Sequence, residues 1–341
     1  MNYLSNKFSR ALNNPTFSKV RRFRSITPSS ASTIVNTPIG TKVVGSCIRQ
    51  QYYRIKNFEP DNSPVNIDWT LSAIIGDKMH HLVEEIIDVF GFEMKLQKLT
   101  KEHSIYDHVS KLSGRSDFIV WDYENNEPIG IEVKSVGEYK AKKSMEQPSE
   151  EHVLQAVVYL DFYNKHIPDN QKKITKWFIW YISRTENWSI KAKDHGSPFE
   201  MMWDFCIELK DNIPIVTLGT GIKQQWTDFS IDKIYARYDQ LNDFLAKDLL
   251  PPRDYELQYS DEKIAALHQA NMISRKGDKE AIEKWLKKGA PPGKHKVTLG
   301  DGECMFCEYK KVCMENMQPS PKEFSNLPKK KEDNKSGILF L

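Results

Sequence analysis

One segment limits what this chain can fold into more than any other: Gly114–Val136, GRSDFIVWDYENNEPIGIEVKSV. Two short stretches, Phe118–Trp121 and Gly130–Val133, flank the turn-forming stretch Tyr123–Pro128, and together they read as strand, turn and strand. The period of two puts Glu132 and Lys134 on one face of the second strand and turns Val133 the other way, into a core. The turn brings Asp117, at the start of the first strand, beside Glu132. Two carboxylates and a lysine are costly to bury without a function. Metal-assisted phosphodiester hydrolysis suits such a set. Hard carboxylates hold Mg2+ or Mn2+, the ion acidifies a bound water and offsets phosphate charge, and the lysine orients that water or supports developing negative charge. An exposed hairpin with a surface Glu–Lys pair has the same spacing, so the motif must be read with its neighbours.

Those neighbours are two helices. Residues 67–90 are predicted helical, with Leu71, Ile75, Met79, Leu82, Ile86 and Phe90 as the apolar stripe. His80 borders that stripe beside Gly76, Val83 and Ile87, whereas His81 sits among Asp77, Glu84, Glu85 and Asp88 on a solvated face. His80 is therefore the histidine placed for a site, and Gly76 one turn earlier permits close approach. A purely structural histidine suits the same position, and Glu84 reads as surface. Residues 149–164 form the second helix, with Pro148 and Ser149 before it and Glu150 and Glu151 in its first turn. His152, Gln155 and Tyr159 make one polar line along it. Gln155 and Tyr159 are neutral donors suited to a DNA backbone or to orienting Lys134. An ordinary amphipathic boundary would look alike.

Five cysteines are too few for a disulfide scaffold and point to a reducing compartment. Three cluster as Cys304-x2-Cys307-x5-Cys313. Cys47, near the other end of the chain, is the natural fourth member of a four-thiolate site that would clasp the two ends of the domain. Such a site takes Zn2+ or an iron–sulfur cluster, and spacing does not separate them. Cys206, in the apolar stretch Trp203–Ile207, reads as a packing residue.

Hydrophobic residues make up 39% and charged residues 28%, which supports a core and excludes global disorder. The net charge of +3 excludes a histone-like polycation but hides an asymmetry: residues 1–58 hold ten Lys/Arg and no acid, leaving 39 basic against 46 acidic residues. Residues 1–35 read as a basic, mostly flexible arm. Residues 36–316 read as one domain with an insertion at 256–300, and 317–341 as a flexible charged tail whose apolar end, Ile338–Leu341, suits docking on a partner. Strands are expected over 93–135, 174–183 and 187–192, with extended chain to about 218; helices are expected over 229–249, 261–274 and 278–288. The arm suits nucleic-acid contact or mitochondrial targeting; otherwise a cytoplasmic protein is expected. The longest apolar run, Trp177–Ile182, is too short to span a bilayer, so no membrane partner is expected. No G-x4-G-K-[ST] loop is present, which argues against a built-in ATP motor.

Taken in order, Cys47-Ile48-Arg49-Gln50-Gln51-Tyr52-Tyr53, Gly76-x3-His80, Gly114-Arg115-Ser116-Asp117, Glu132-Val133-Lys134, His152-x2-Gln155-x3-Tyr159, Leu250-Pro251-Pro252 and the closing C-x2-C-x5-C resemble the RecB-like PD-(D/E)XK nucleases. The likeness is greatest to the iron–sulfur branch, which includes CRISPR-associated RecB-like exonucleases, the AddB nuclease domain and the exonuclease V type. It covers roughly 45–165 and 229–313. The resemblance implies an α/β fold: a restriction-endonuclease-like core, a central mixed sheet flanked by helices, and a helical C-terminal part closed by a four-cysteine cluster. It implies His80, Asp117, Glu132 and the Val133 carbonyl as ligands of Mg2+ or Mn2+, with Asp117, Glu132 and Lys134 catalytic. Gln155, Tyr159 and Arg115 would contact DNA or position the site, and Cys47, Cys304, Cys307 and Cys313 would hold a [4Fe–4S] cluster in preference to Zn2+. Ser116 stands where the motif's nominal proline would be. The implied activity is a metal-dependent DNA exonuclease acting on single strands or ends in replication, recombination or repair, beside a helicase, recombinase or similar partner. The competing expectation is an inactive nuclease-fold subunit that only holds DNA ends.

Overall fold

The computed structural model describes residues 25–61, 67–107, 111–184, 202–273, 275–288 and 299–315. Most of the basic arm, the tail with Ile338–Leu341, the expected strand at 187–192 and part of the 256–300 insertion lie outside the described residues.

Among the described residues the chain is α/β, with a mixed central sheet flanked by helices. A hairpin of β1 (Ser32–Thr37) and β2 (Gly40–Gly45) leads into α1 (Ile48–Ile55) and the long α2 (Ile67–Phe90). Three antiparallel strands follow, β3 (Leu96–Asp107), β4 (Leu112–Asp122) and β5 (Glu127–Val136). The chain then crosses over through α3 (Glu138–Glu146) and α4 (Glu150–His166) to β6 (Lys176–Ser183), which pairs parallel to β5. A parallel neighbour requires such a crossover. The strands β7 (Met202–Lys210), β8 (Ile213–Thr217) and β9 (Lys223–Gln225) extend the sheet antiparallel, so its order runs β3 to β9 without a break. The C-terminal part is helical: α5 (Ile231–Lys247), α6 (Asp261–Gln269), α7 (Lys276–Lys287), α8 (Gly302–Met305) and α9 (Lys310–Glu315).

Each face of the sheet has its own core. On one face Phe118, Val120, Ile129, Ile131 and Val133 meet Val83 and Ile87 of α2. On the other, Ile119 and Ile179 meet α4, whose Val153, Leu154, Ala156, Val157 and Leu160 are all buried. The strand alternation therefore places Val133 in the α2 core and Glu132 and Lys134 on the α4 side. A third, smaller core around Ile264, Ile273 and Ile282 belongs to α6 and α7 within the expected insertion.

One expectation changes. The buried side of α2 is Val83 and Ile87, while Ile75, Leu82 and Phe90 of the expected stripe are exposed. Apolar residues occupy more than one face of this helix, and the sheet decides which face is covered. The described part of the arm, residues 25–35, packs on the body: Ile26 is buried and bridges Leu112, and the Thr33 hydroxyl donates to the Asp228 carbonyl at 2.6 Å.

Candidate functional site

The paired register of β4 and β5 ends at Phe118 opposite Ile131. Just beyond it, Asp117 turns its side chain toward β5 and accepts the backbone N–H of Val133 on Oδ2 at 2.7 Å. Its other oxygen lies 3.3 Å from His80 Nδ1, which joins α2 to the strand pair. Gly76 permits this approach, because a Cβ there would stand 3.3 Å from Ser135 Oγ on β5. His81 instead faces Glu84, at 3.8 Å. Glu84 is not plain surface, since it pairs with Lys98 of β3 at 3.2 Å.

Glu132 is only 3% exposed, which excludes the exposed-hairpin reading. One of its oxygens accepts Lys134 Nζ at 2.7 Å, and the other is buried without a partner among the described residues. Burial, followed by the Asp117 charge, pushes its carboxyl up to about 7 despite Lys134. At His80 burial opposes the charged form, but the Asp117 hydrogen bond and the Asp117 and Glu132 charges outweigh it and raise the pKa. Lys134 also donates to Gln155 Oε1 at 2.8 Å, so α4 aims the ammonium group. Tyr159 is buried, stacks on Trp177 at 5.5 Å between ring centroids, and donates its hydroxyl to the Arg115 carbonyl at 2.7 Å. That position holds the start of β4 in place, and the hydroxyl is already committed within the protein.

The residues fit a divalent metal by donor chemistry. Hard oxygens and an imidazole adjoin, and a buried carboxylate oxygen lacks a donor. They adjoin as a neighbourhood: among the described residues no three His, Cys, Asp or Glu side chains already converge as a metal-binding group. Asp117 is engaged by Val133 and Glu132 by Lys134.

The four cysteines named from the sequence line one recess, together with Arg49, Tyr53, Arg253 and Tyr255. Burial, followed by the neighbouring Cys47, Cys307 and Cys313, pushes the Cys304 thiol up to about 12. Cys307 is pushed up to about 11, mainly by burial. Thiolates so disfavoured in isolation fit a cationic centre that would offset their charge. Arg49 is buried, donates Nε to the Pro251 carbonyl at 2.7 Å, and directs Nη1 at Cys313 Sγ at 3.9 Å. Around the recess α1 and the chain after it are tied to the segment before α9 by Arg54 to Glu308 at 2.5 Å and by the Asp61 N–H to the Glu308 carbonyl at 2.6 Å. Cys206 stands apart, half-buried in β7.

Sequence reasoning missed Tyr181 and Trp177, which carry no motif. Gly130 was the available signal for Trp177, because a Cβ there would lie 2.1 Å from the indole. Comparison with protein-family models and with curated proteins found no match.

Proposed function

We propose that this protein is a metal-dependent deoxyribonuclease built on a PD-(D/E)XK-type core, acting as an exonuclease on single-stranded DNA or DNA ends. One observation carries the reading: Asp117, Glu132, Lys134 and His80 meet at one end of the β4–β5 pair, and Glu132 is buried with an oxygen lacking a partner. A structural Glu–Lys pair gives no reason to bury that oxygen at this cost.

His80, Asp117 and Glu132 would hold Mg2+ or Mn2+, with the Val133 carbonyl as a further ligand. When bound, the ion supplies an acidified water and positive charge for the phosphate. Asp117 is oriented by the Val133 N–H. Lys134 is held by Gln155 and Glu132, so its protons lie ready for the attacking water or for a non-bridging oxygen. Tyr159 fixes the backbone at Arg115 that leads into Asp117. Cys47, Cys304, Cys307 and Cys313 would hold a [4Fe–4S] cluster, or Zn2+ in its place, and so join the ends of the domain. The setting this implies is DNA replication, recombination or repair.

The test is digestion of end-labelled DNA with Mg2+ or Mn2+. Wild type shortens the substrate from its ends, and Glu132→Ala and Lys134→Ala do not. Equal digestion by all three overturns the reading. Metal-independent DNA-end binding without cleavage would make the protein the binding subunit instead.

A further inference from the structure

The polar line on α4 begins one turn before Gln155, with His152, a residue the reaction above does not use. Its Nδ1 lies 2.8 Å from the Tyr181 hydroxyl. That hydroxyl also accepts the Ser149 backbone N–H, at 3.0 Å. Tyr181 is fully buried, flanked by Trp203 in a stacked arrangement at 5.5 Å. Its one proton needs an acceptor, and among the described residues His152 Nδ1 is the acceptor it has. If Nδ1 carried a proton, two donors would face the same oxygen and the tyrosine proton would be buried unpaired. His152 is therefore held as the neutral tautomer with its proton on Nε2.

That Nε2–H meets no acceptor among the described residues, and the residue keeps some exposure to solvent. His152 shares a helix face with Gln155, which holds Lys134. Lys134 of β5 and Lys140 of α3 are the charged groups acting on it. With burial as the larger cause, they push its pKa down to about 3. The imidazole therefore stays uncharged through the neutral range.

We infer that His152 is a substrate-binding residue, presenting a fixed Nε2–H to a non-bridging phosphate oxygen of the nucleic acid beside Lys134. This rests on the nuclease reading for its ligand, but not for its tautomer. An uncharged donor suits a crowded cationic corner, because it adds a directional hydrogen bond without further repulsion of Lys134.

The experiment has two arms on the full chain. Histidine 15N NMR reads the tautomer: the expected result is a protonated Nε2 that does not titrate between pH 5 and 8, values chosen to bracket the ordinary histidine range at about 6.5. A protonated Nδ1 overturns the inference. The second arm measures affinity for a short single-stranded DNA with Ca2+ replacing Mg2+. His152→Asn keeps an acceptor for Tyr181 and removes the far donor. His152→Gln keeps the far donor. The expected result is about tenfold weaker binding for His152→Asn and recovery to about twofold for His152→Gln, the scale of one hydrogen bond to a charged group. Equal binding by wild type and His152→Asn overturns this inference alone. No binding by wild type overturns the nuclease reading and this ligand with it. Tyr181→Phe is the second variant: it removes the hydroxyl that faces Nδ1, so the proton is no longer confined to Nε2, and a mixed tautomer with weaker DNA binding is expected. An unchanged pure Nε2–H tautomer would show that Tyr181 does not impose it.

Discussion

Lys134 Nζ stands 2.7 Å from Glu132 Oε1, two positions earlier on the same strand, while the other oxygen of that buried carboxylate meets no donor among the described residues. The pair is half-satisfied, and a half-satisfied buried pair is costly unless something else completes it. Both the proposed activity and the first prediction rest on that asymmetry.

Glu132 should make the metal-free protein less stable as pH rises. Its carboxyl is raised from 4.5 to about 7, first by burial and then by the Asp117 charge. A raised carboxyl contributes its full stability below its unfolded value and loses it as pH climbs through the folded value, so the loss falls between these two values. Urea unfolding in EDTA at both ends of this window would show the fall, and Glu132→Gln should flatten it. Added Mn2+ should stabilise wild type more at the alkaline end, because there it competes with fewer protons.

Tyr159→Phe should keep the stack on Trp177 and lose the hydrogen bond to the Arg115 carbonyl. The cost in stability is about 1 kcal/mol. Turnover should fall further than that cost explains, because the strand start that carries Asp117 is released. Denaturant melts and single-turnover digestion, measured side by side, separate the two effects.

Gly130→Ala should destabilise the sheet. The new methyl would sit 2.1 Å from the Trp177 ring, which is fully buried and cannot withdraw. A loss of about 2 kcal/mol or more is expected from overpacking of this kind. Thermal unfolding measures it, and an unchanged midpoint would show that the indole has room to move.

Arg237 and Asp254 form an ion pair at 2.6 Å with both side chains under a tenth exposed. Asp254 also accepts the Ile48 N–H at 2.7 Å, directly after Cys47. Asp254→Ala should cost about 3–5 kcal/mol, because the guanidinium is left buried and unpaired. It should also speed modification of Cys47 by a thiol reagent, since the turn presenting that residue loses its anchor. Replacing Arg237 as well, by Met, should return part of the stability.

The cysteine recess predicts bound metal. Protein purified without oxygen should be brown with broad visible absorption and contain iron, and Cys47→Ser should lose it as fully as Cys307→Ser does. A colourless protein with one zinc would assign the recess to zinc. Equal iron in wild type and Cys47→Ser would remove Cys47 from the set.

Much of this site is legible in the residues, because strand periodicity acts over two positions and needs no distant partner. That Glu132 and Lys134 share a face, that Val133 enters a core, and that Asp117 lies across a turn all follow from local geometry. His80 was separable from His81 by helical neighbours alone. The choice of buried face on α2 was not legible. Ile75, Leu82, Val83, Ile87 and Phe90 are all apolar, and only contact with β4 and β5 selects Val83 and Ile87.

The sequence by itself determined the alternation of faces, the residue chemistry and the order of the motifs. Tertiary structure alone decided the joint between His80 and Asp117, the placing of Cys47 in one recess with Cys304, Cys307 and Cys313, and the contact of His152 Nδ1 with the Tyr181 hydroxyl. The physical reason is range. Backbone periodicity states which residues point together, but their partners are set by packing between segments far apart in the chain, where burial, desolvation and the need to satisfy each buried polar group are settled at once.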